Sequence, residues 1–132
     1  MAAKAKYKRV LLKISGESLC EAGRMGIQAS AVDRAVDELV PALELGVQIS
    51  LVVGGGNLFR ARDLAGDPNI LRTTADYMGM LGTIMNALAL ADAIAGRGRQ
   101  AAVLSAIAMP AVCEPFSRRE AVRRLDAGQV VI

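Results

Sequence analysis

The sequence predicts an α/β fold, a three-layer sandwich in which helices cover both faces of a mainly parallel sheet. Strand-like and helix-like segments alternate along the 132 residues. The strand-like segments are continuously apolar, and the segments between them are too long for hairpins, as is typical of parallel sheets. Because only 3% of the residues are aromatic, the core must be built from aliphatic side chains.

The predicted elements contain no internal repeat and no internal domain boundary. Residues 1–8 form a basic lead, and residues 9–132 form one domain. In chain order we predict a strand at 9–15, a helix at 30–45, a strand at 47–53, a helix within 70–95, a strand at 101–107, a helix opening at 117 and a strand beginning at 129.

Local signals define the ends and faces of the predicted helices. Ser30 and Ser117 are predicted N-caps, the latter completed by Glu120 in a capping box. Pro41 should break the helix that contains it, and Gly46 fits the position just after a helix. The long helix has a predicted apolar stripe formed by Tyr77, Met80, Leu81, Ile84, Leu88 and Ala91.

Composition excludes several kinds of chemistry. Histidine is absent, so no imidazole base, nucleophilic dyad or histidine metal ligand can come from this chain. The net charge is only +3 and aromatic residues are not interleaved with the arginines, so no nucleic-acid partner is predicted. Cys20 and Cys113 lack metal-ligand spacing, and no metal site is predicted. Without a signal peptide or an apolar run of about 18 residues, we expect no membrane partner and a cytoplasmic location.

Two glycine-containing turns follow the first two strands. Gly16 lies in "KISGES", and Gly54–Gly56 lie in "GGGNLFR". Backbone N–H groups in such turns can cradle phosphate oxygens at the carboxyl edge of a parallel sheet, and a helix beginning near Asn57 would add its dipole. Lys13 and Arg60 add positive charge. Alternatively, the turns are only tight turns, Lys13 is structural and Arg60 lies on the surface.

Four segments resemble the N-terminal half of the bacterial uridylate (UMP) kinases, which belong to the amino-acid kinase family. They are "RVLLKISGES", "GVQISLVVGGGNLFRA", "ADYMGMLGTIMNALALADAI" and the final "SAIAMPAVCEPFSRREAVRRLDAGQVVI". The resemblance implies an amino-acid kinase-like fold. It also implies transfer of the γ-phosphate of ATP to UMP, giving UDP in pyrimidine nucleotide biosynthesis.

The resemblance implies roles for three groups of residues. ATP is held by Lys13, Ile14, Ser15, Gly16, Gly56 and Arg60, of which Lys13 and Arg60 are catalytic. UMP is held by Gly55 and Asp76, although Asp76 alone would be read as a solvated helix residue. The region associated with activation by GTP is Glu21, Ala22, Gly23, Arg24, Met25 and Gly26.

The resemblance further implies Mg²⁺ bound with ATP, GTP as an activator, UTP as an inhibitor and a homohexamer. Dimers in the family pack through helices, for which the Met-rich stretch 78–90 is a candidate; plain burial against the sheet explains that stretch equally well. Acceptor binding in the family also uses a G-T-G-N segment that follows "QVVI", where this sequence stops. We therefore expect a fold that is truncated in its fourth strand and little or no activity from this chain alone.

Two other interpretations remain open from the sequence. One is a non-catalytic nucleotide-binding or assembly module that keeps the family's contacts between subunits. The other is a relative with a different substrate, as in the carbamate and acetylglutamate kinases or the molybdenum storage proteins. The motifs "GGGNLFR" and "DYMGM" favour the uridylate kinases over that second group.

Overall fold

A computed structural model describes residues 4–132, and the first three residues of the predicted basic lead lie outside it. The described residues form six strands, four α-helices and two short 3₁₀ helices, at Gly16–Leu19 and Ala61–Leu64. The strands and α-helices are β1 (Arg9–Ile14), α1 (Ala29–Asp37), α2 (Val40–Glu44), β2 (Gln48–Val53), α3 (Arg72–Ala95), β3 (Ala101–Ala102), β4 (Leu104–Ser105), β5 (Glu114–Pro115), α4 (Arg118–Asp126) and β6 (Val130–Val131).

Four strands form one parallel sheet in the order β1-β2-β6-β3, and β4 pairs with β5 in a separate parallel pair. The longest pairing joins β1 to β2, with Arg9 opposite Gln48 and Ile14 opposite Val53. Both strands therefore end at the same edge of the sheet, and the two glycine turns leave from that edge.

Helices lie on both faces of the sheet, which confirms the predicted three-layer α/β fold. Alternate residues of β2, namely Ile49, Leu51 and Val53, join the core with residues of α1 and α3. Helix α4 contacts β2 and β6. Arg9, on the face of the sheet opposite to Ile49, forms an ion pair with Asp126 at the end of α4. The sheet thus positions α3 beside the second glycine turn.

The helix predicted at 30–45 is two helices, as Pro41 indicated. Helix α1 ends at Asp37, and Pro41 lies in the first turn of α2. The predicted cap at Ser30 is wrong: α1 begins after Gln28, whose carbonyl oxygen accepts hydrogen bonds from the N–H groups of Ala31 and Val32. The prediction at Gly46 is confirmed by its left-handed φ of 77°.

The strand predicted at 101–107 is interrupted because the chain changes pairing partners. Residues 101–102 belong to the main sheet, whereas Leu104 and Ser105 pair with β5, a strand that the sequence analysis missed. The carbonyl oxygen of Val103 accepts from Glu114 N, and Leu104 N donates to Ile132 O. Each of these paired stretches is only two residues long, too short for a hydrophobic period to reveal it.

The predicted apolar stripe of α3 is only partly correct. Ile84 is buried, but Tyr77, Met80 and Leu81 are exposed. The buried face is shifted toward smaller residues and toward the C-terminal half, and consists of Ala75, Gly82, Ile84, Asn86, Ala87, Leu90 and Ile94. At Gly82 a small residue is favoured because α3 packs there on the second glycine turn, with Gly55 O 3.6 Å from the Cβ position of Gly82.

Helix α3 is also long and apolar enough, by composition, to cross a membrane. A core helix passes the same test, and one third of its most apolar window is buried inside the protein. Leu90 and Ile94 lie in the main core, and Arg97, just after the helix, binds Asp33 and Asp37 of α1. We therefore interpret α3 as a core helix.

Helix α4 begins as predicted and contains a group that should make stability depend on pH. The hydroxyl of Ser117 accepts from Glu120 N, at 3.1 Å. Hydrogen bonds from Arg123, and then from Arg124, lower the pKa of the Glu120 carboxyl from 4.5 to about 2. The ionised carboxylate therefore stabilises the folded state fully above about pH 4.5, and this contribution is lost as the pH falls toward 2.

Replacing Glu120 with Gln should make the free energy of unfolding depend less on pH between pH 5 and pH 2, because the glutamine cannot release a proton when the chain folds. Urea unfolding at several pH values in this range measures the dependence. Glu44→Gln, at the exposed end of α2, is the matched control and should keep the wild-type slope. A fall in stability toward acid pH that is the same in Glu120→Gln as in the wild type would contradict this role of Glu120.

Candidate functional site: two glycine turns at the sheet edge

The turns that follow β1 and β2 are in direct contact. Gly54 N donates to Ile14 O at 3.0 Å. A Cβ atom on Gly16 would lie 2.5 Å from Asn57 Oδ1, 2.7 Å from Gly54 O and 2.9 Å from Gly56 N. No side chain fits in that space, so glycine is required at residue 16 to bring the two turns together.

The first turn places Lys13, Ile14 and Ser15 at the edge of the sheet. Ser15 caps the 3₁₀ helix Gly16–Leu19, and its hydroxyl accepts from Glu17 N at 3.3 Å. Lys13 is exposed near the end of β1, opposite Val52 of β2. Together with residues of α1, these three side chains line a cavity of about 440 Å³.

In the second turn, the three glycines have different surroundings. A Cβ on Gly55 would lie 2.8 Å from Gly79 O and 3.0 Å from Thr83 N, so this glycine allows the turn to pack on α3. Gly56 is more open, and the closest atom to its Cβ position is Arg60 Nε at 3.6 Å. Gly56, rather than Gly55, therefore has room at its Cβ position for an approaching ligand.

The helix considered at Asn57 is absent, since the chain makes a turn there and then the 3₁₀ helix Ala61–Leu64. The turn therefore has no helix dipole at Asn57 that could attract an anion. The positive charge comes instead from Arg60, whose Nε donates to Gly56 O at 3.1 Å. Its Nη2 forms an ion pair with Glu17 of the first turn.

The segment predicted for GTP lies beside Arg60. Residues 21–25 share with Glu17, Cys20, Arg60 and Asp63 a cavity of about 420 Å³. Gly26, at the end of this segment, donates its N–H to Asn57 O at 2.6 Å. Lys13, Ile14 and Ser15 line a different cavity from Arg60, so these four residues predicted for ATP do not share one cavity.

Asp76 occupies a third position, in the first turns of α3. It is exposed and lines a cavity of about 390 Å³ together with Arg62 and Arg72. The 3₁₀ helix Ala61–Leu64 forms the opposite wall. Two guanidinium groups and a carboxylate in one cavity can bind a phosphate and a hydroxyl-bearing sugar, respectively.

Sequence reasoning missed the hydrogen-bonding roles of Glu17, Asn57 and Asn86. Glu17 follows the glycine of the first turn and partners Arg60 from 43 residues away. Asn86 is a polar residue inside the apolar run "TIMNALALADAI", and that position was the available signal. Asn57 and Asn86 are almost fully buried and hydrogen bond to each other.

The parallel sheet and its paired turns define a member of a known class of proteins. The sequence pattern of the amino acid kinase family matches residues 8–132, so the chain belongs to that family. Within it, the chain is similar to uridylate kinases. It is 49% identical to the uridylate kinase of Chelativorans sp. strain BNC1 and 50% identical to that of Zymomonas mobilis, over 96% of this chain in both cases.

Solved structures agree with this assignment. The UMP kinase of Bacillus anthracis superposes with a TM-score of 0.88 at 38% identity, over 96% of this chain and 52% of that one. The UMP kinase of Ureaplasma parvum gives 0.82 at 30% identity, over 97% and 54%. A carbamate kinase from Giardia lamblia, at 18% identity and a TM-score of 0.50, shares the fold. The chain spans about half the length of the curated uridylate kinases it matches, 51% and 52% of the two named.

Proposed function

We propose that this chain forms the phosphate-binding part of a UMP kinase, which transfers the γ-phosphoryl group of ATP to UMP and gives UDP. The observation that supports this most strongly is the contact between the two turns, where Gly16 meets Gly54 and Gly56 with no space for a side chain. Similarity to uridylate kinases over 96% of the chain supports the choice of nucleotide. The product would serve pyrimidine nucleotide synthesis.

The chemistry of such a transfer suits the residues present. The acceptor oxygen of UMP is already anionic, so the reaction requires positioning and neutralisation of charge and needs no histidine base. Lys13 and Arg60 would offset the repulsion between the two phosphorylated substrates, and amide N–H groups of the turns would add oriented dipoles. These are the catalytic roles we propose for Lys13 and Arg60.

We propose that Mg²⁺ enters with ATP and is held chiefly by phosphate oxygens. The turns offer N–H groups and cations, which bind phosphate, and the carboxylate beside them, that of Glu17, is already paired with Arg60. This donor set fits a metal that arrives on the nucleotide. The ion would supply further neutralisation of the transferring group.

Binding of Mg·ATP to the isolated chain tests the proposal. Isothermal titration should show one site, and the double variant Lys13→Ala, Arg60→Ala should weaken it by about 10²-fold, as expected for two charge-assisted contacts. Wild-type affinity in that variant would contradict the proposal.

In a coupled assay of UDP formation we expect little turnover from this chain alone, and turnover equal to that of a full-length relative would contradict that expectation.

Asp76 is proposed to hold the ribose hydroxyls of UMP. Asp76→Ala should weaken UMP binding about tenfold, because a charge-assisted hydrogen bond is lost, and should raise KM rather than lower kcat where turnover is measured. Asp92→Ala, an exposed aspartate on the same helix, is the matched control. Unchanged UMP affinity in Asp76→Ala would remove Asp76 from the acceptor site.

Regulation by nucleoside triphosphates is proposed at two places. GTP would act at residues 21–26, because part of this segment shares a cavity with Arg60. UTP would inhibit by placing its phosphates at the turns in competition with ATP. Both effects would occur in the cytoplasm, where we propose that the protein works.

A homo-oligomer, with a hexamer as the complete assembly, is proposed to form through the exposed face of α3. Leu71, Met78 and Met85 recur every seven residues and are 72%, 39% and 53% exposed, and Leu81 lies between them at 43%. Apolar residues at heptad spacing on an exposed helix are typical of helix–helix packing between subunits. This face also favours the alternative in which the chain is a non-catalytic assembly module.

Replacing Met85 with Glu should dissociate this assembly, because a charge would be buried in an apolar contact. Analytical ultracentrifugation measures the mass, with Met25→Glu, an equally exposed methionine outside α3, as the control. A monomeric wild-type chain, or an unchanged mass in Met85→Glu, would contradict the proposed contact. Assembly without any binding of Mg·ATP would instead support the assembly module.

A further inference from the structure

Two asparagines whose pairing the sequence did not predict form a closed pair in the interior. Asn57, in the second glycine turn, is 1% exposed, and Asn86, in α3, is fully buried. Asn57 Nδ2 donates to Asn86 Oδ1 at 3.0 Å, and Asn86 Nδ2 donates to Asn57 Oδ1 at 2.7 Å. Each amide therefore holds the other in a single orientation.

The pair connects three separate parts of the chain. Asn86 Nδ2 also donates to Gly54 O at 2.7 Å, at the start of the second turn. Asn57 Nδ2 donates to Gly26 O at 2.9 Å, and Asn57 O accepts from Gly26 N at 2.6 Å. Helix α3, the second glycine turn and the end of segment 21–26 are thus joined through two side chains.

Asn57 is also the residue whose Oδ1 lies 2.5 Å from the Cβ position of Gly16. The amide pair therefore touches both turns of the candidate phosphate site. Within residues 4–132, no buried side-chain nitrogen or oxygen lacks a hydrogen-bond partner, so the network is fully satisfied. A satisfied buried network is rigid, and a shift of one member requires the others to shift with it.

We propose that Asn57 and Asn86 are positioning residues that hold the Gly54–Gly56 turn in its anion-binding form and couple its occupancy to Gly26. This inference rests on the proposed function, because it assumes that phosphate binds at the turns. When phosphate oxygens engage the turn, its amides become more firmly held. The two hydrogen bonds between Asn57 and Gly26 transmit that restraint to segment 21–26.

A purely structural pair would behave differently from a coupling pair. It would contribute to global stability, but binding at the turns would leave the Gly26 amide unchanged. The distinguishing quantity is therefore the change in hydrogen exchange at Gly26 that nucleotide produces, compared with the change at Gly56. Local opening governs exchange in the native state, so the measurement isolates this contact from global unfolding.

The experiment follows amide hydrogen exchange by NMR in the whole chain, with and without Mg·ATP. In the wild type we expect Mg·ATP to slow exchange at both Gly56 and Gly26, by about threefold or more at Gly26. In nucleotide-free Asn86→Ala we expect exchange at Gly26 to rise about fivefold, the equivalent of one net hydrogen bond, and the nucleotide effect there to disappear. Asn69→Ala, at an exposed loop position, should match the wild type.

Asn86→Ser serves if Asn86→Ala does not fold, because a serine hydroxyl can bond to the preceding turn of its own helix. Wild-type exchange at Gly26 in a folded variant overturns the proposal. A wild type in which Mg·ATP protects Gly56 but not Gly26 overturns the coupling and leaves the proposed function standing. No response to Mg·ATP at any residue overturns the proposed function, and the coupling falls with it.

Discussion

Replacing Gly16 with alanine is expected to destabilise the chain by roughly 3 kcal/mol, toward the upper end of what overpacking costs. The added methyl group would lie within 3 Å of Gly54 O and Gly56 N, and these are backbone atoms that cannot rotate away. The turns must separate or β1 must shift. Urea unfolding of the variant measures the loss of stability. Mg·ATP affinity should also fall, because the two turns proposed to bind the phosphates would move apart.

Gly79→Ala is the matched control for this substitution. A Cβ there would have Phe59 Cδ1, at 3.9 Å, as its nearest neighbour, an ordinary contact. Because Gly79 lies inside α3, alanine should leave stability unchanged or raise it by up to about 1 kcal/mol. If Gly16→Ala were as stable as the wild type, the close packing of the two turns would be wrong.

Replacing Lys13 with alanine is expected to weaken Mg·ATP binding by about tenfold or more, because one charge-assisted contact to phosphate is lost. In a completed enzyme that forms UDP, kcat should fall by about 10²-fold or more, as for the loss of one preorganised charge stabiliser. Lys13 is exposed at the carboxyl end of β1, so the substitution removes charge without opening the core. Isothermal titration and the coupled assay measure the two effects.

Lys8→Ala removes the same charge just before β1, at the opposite end of the strand, and is the control. It should change affinity by less than about twofold, since exposed charges at a distance are screened by salt. Equal effects of the two substitutions would indicate a general electrostatic attraction rather than a site. An unchanged Mg·ATP affinity in Lys13→Ala would indicate that Lys13 has a structural role instead.

The layered fold could be predicted because its signals are local and periodic. Strands β1 and β2 are short, mainly apolar runs, although only β2 has buried residues, and Pro41 and Ser117 act on their own helices. The cap at Ser30 failed because Gln28, held by Leu19 O, fixes where α1 begins. The two-residue strands β3 to β6 depend on partners elsewhere in the chain, which no local pattern specifies.

The candidate site was predicted in outline but not in its internal divisions. Glycines and cations at two strand ends indicated a phosphate site, and the structure brings those ends into contact. It also shows that the Cβ positions of Gly16 and Gly55 are closely packed, whereas the Cβ position of Gly56 is open. Sequence alone could not separate these roles, because a glycine that allows packing and a glycine that admits a ligand look the same.

Contacts between distant residues explain what was missed. Glu17 pairs with Arg60 across 43 positions, and Asn57 pairs with Asn86 across 29. Hydrogen-bond partners at such separations follow from the packed fold and have no periodic signal. An isolated asparagine in an apolar helix face, such as Asn86, indicates only that some buried partner must exist.

The most direct test is a crystal structure of the chain with Mg²⁺ and a non-hydrolysable ATP analogue. We predict that the phosphates lie against the amides of Gly16 and Gly56, with Lys13 or Arg60 in contact with a phosphate oxygen. A nucleotide bound elsewhere, with both turns free of phosphate, would contradict the proposal that these turns form a phosphate-binding site.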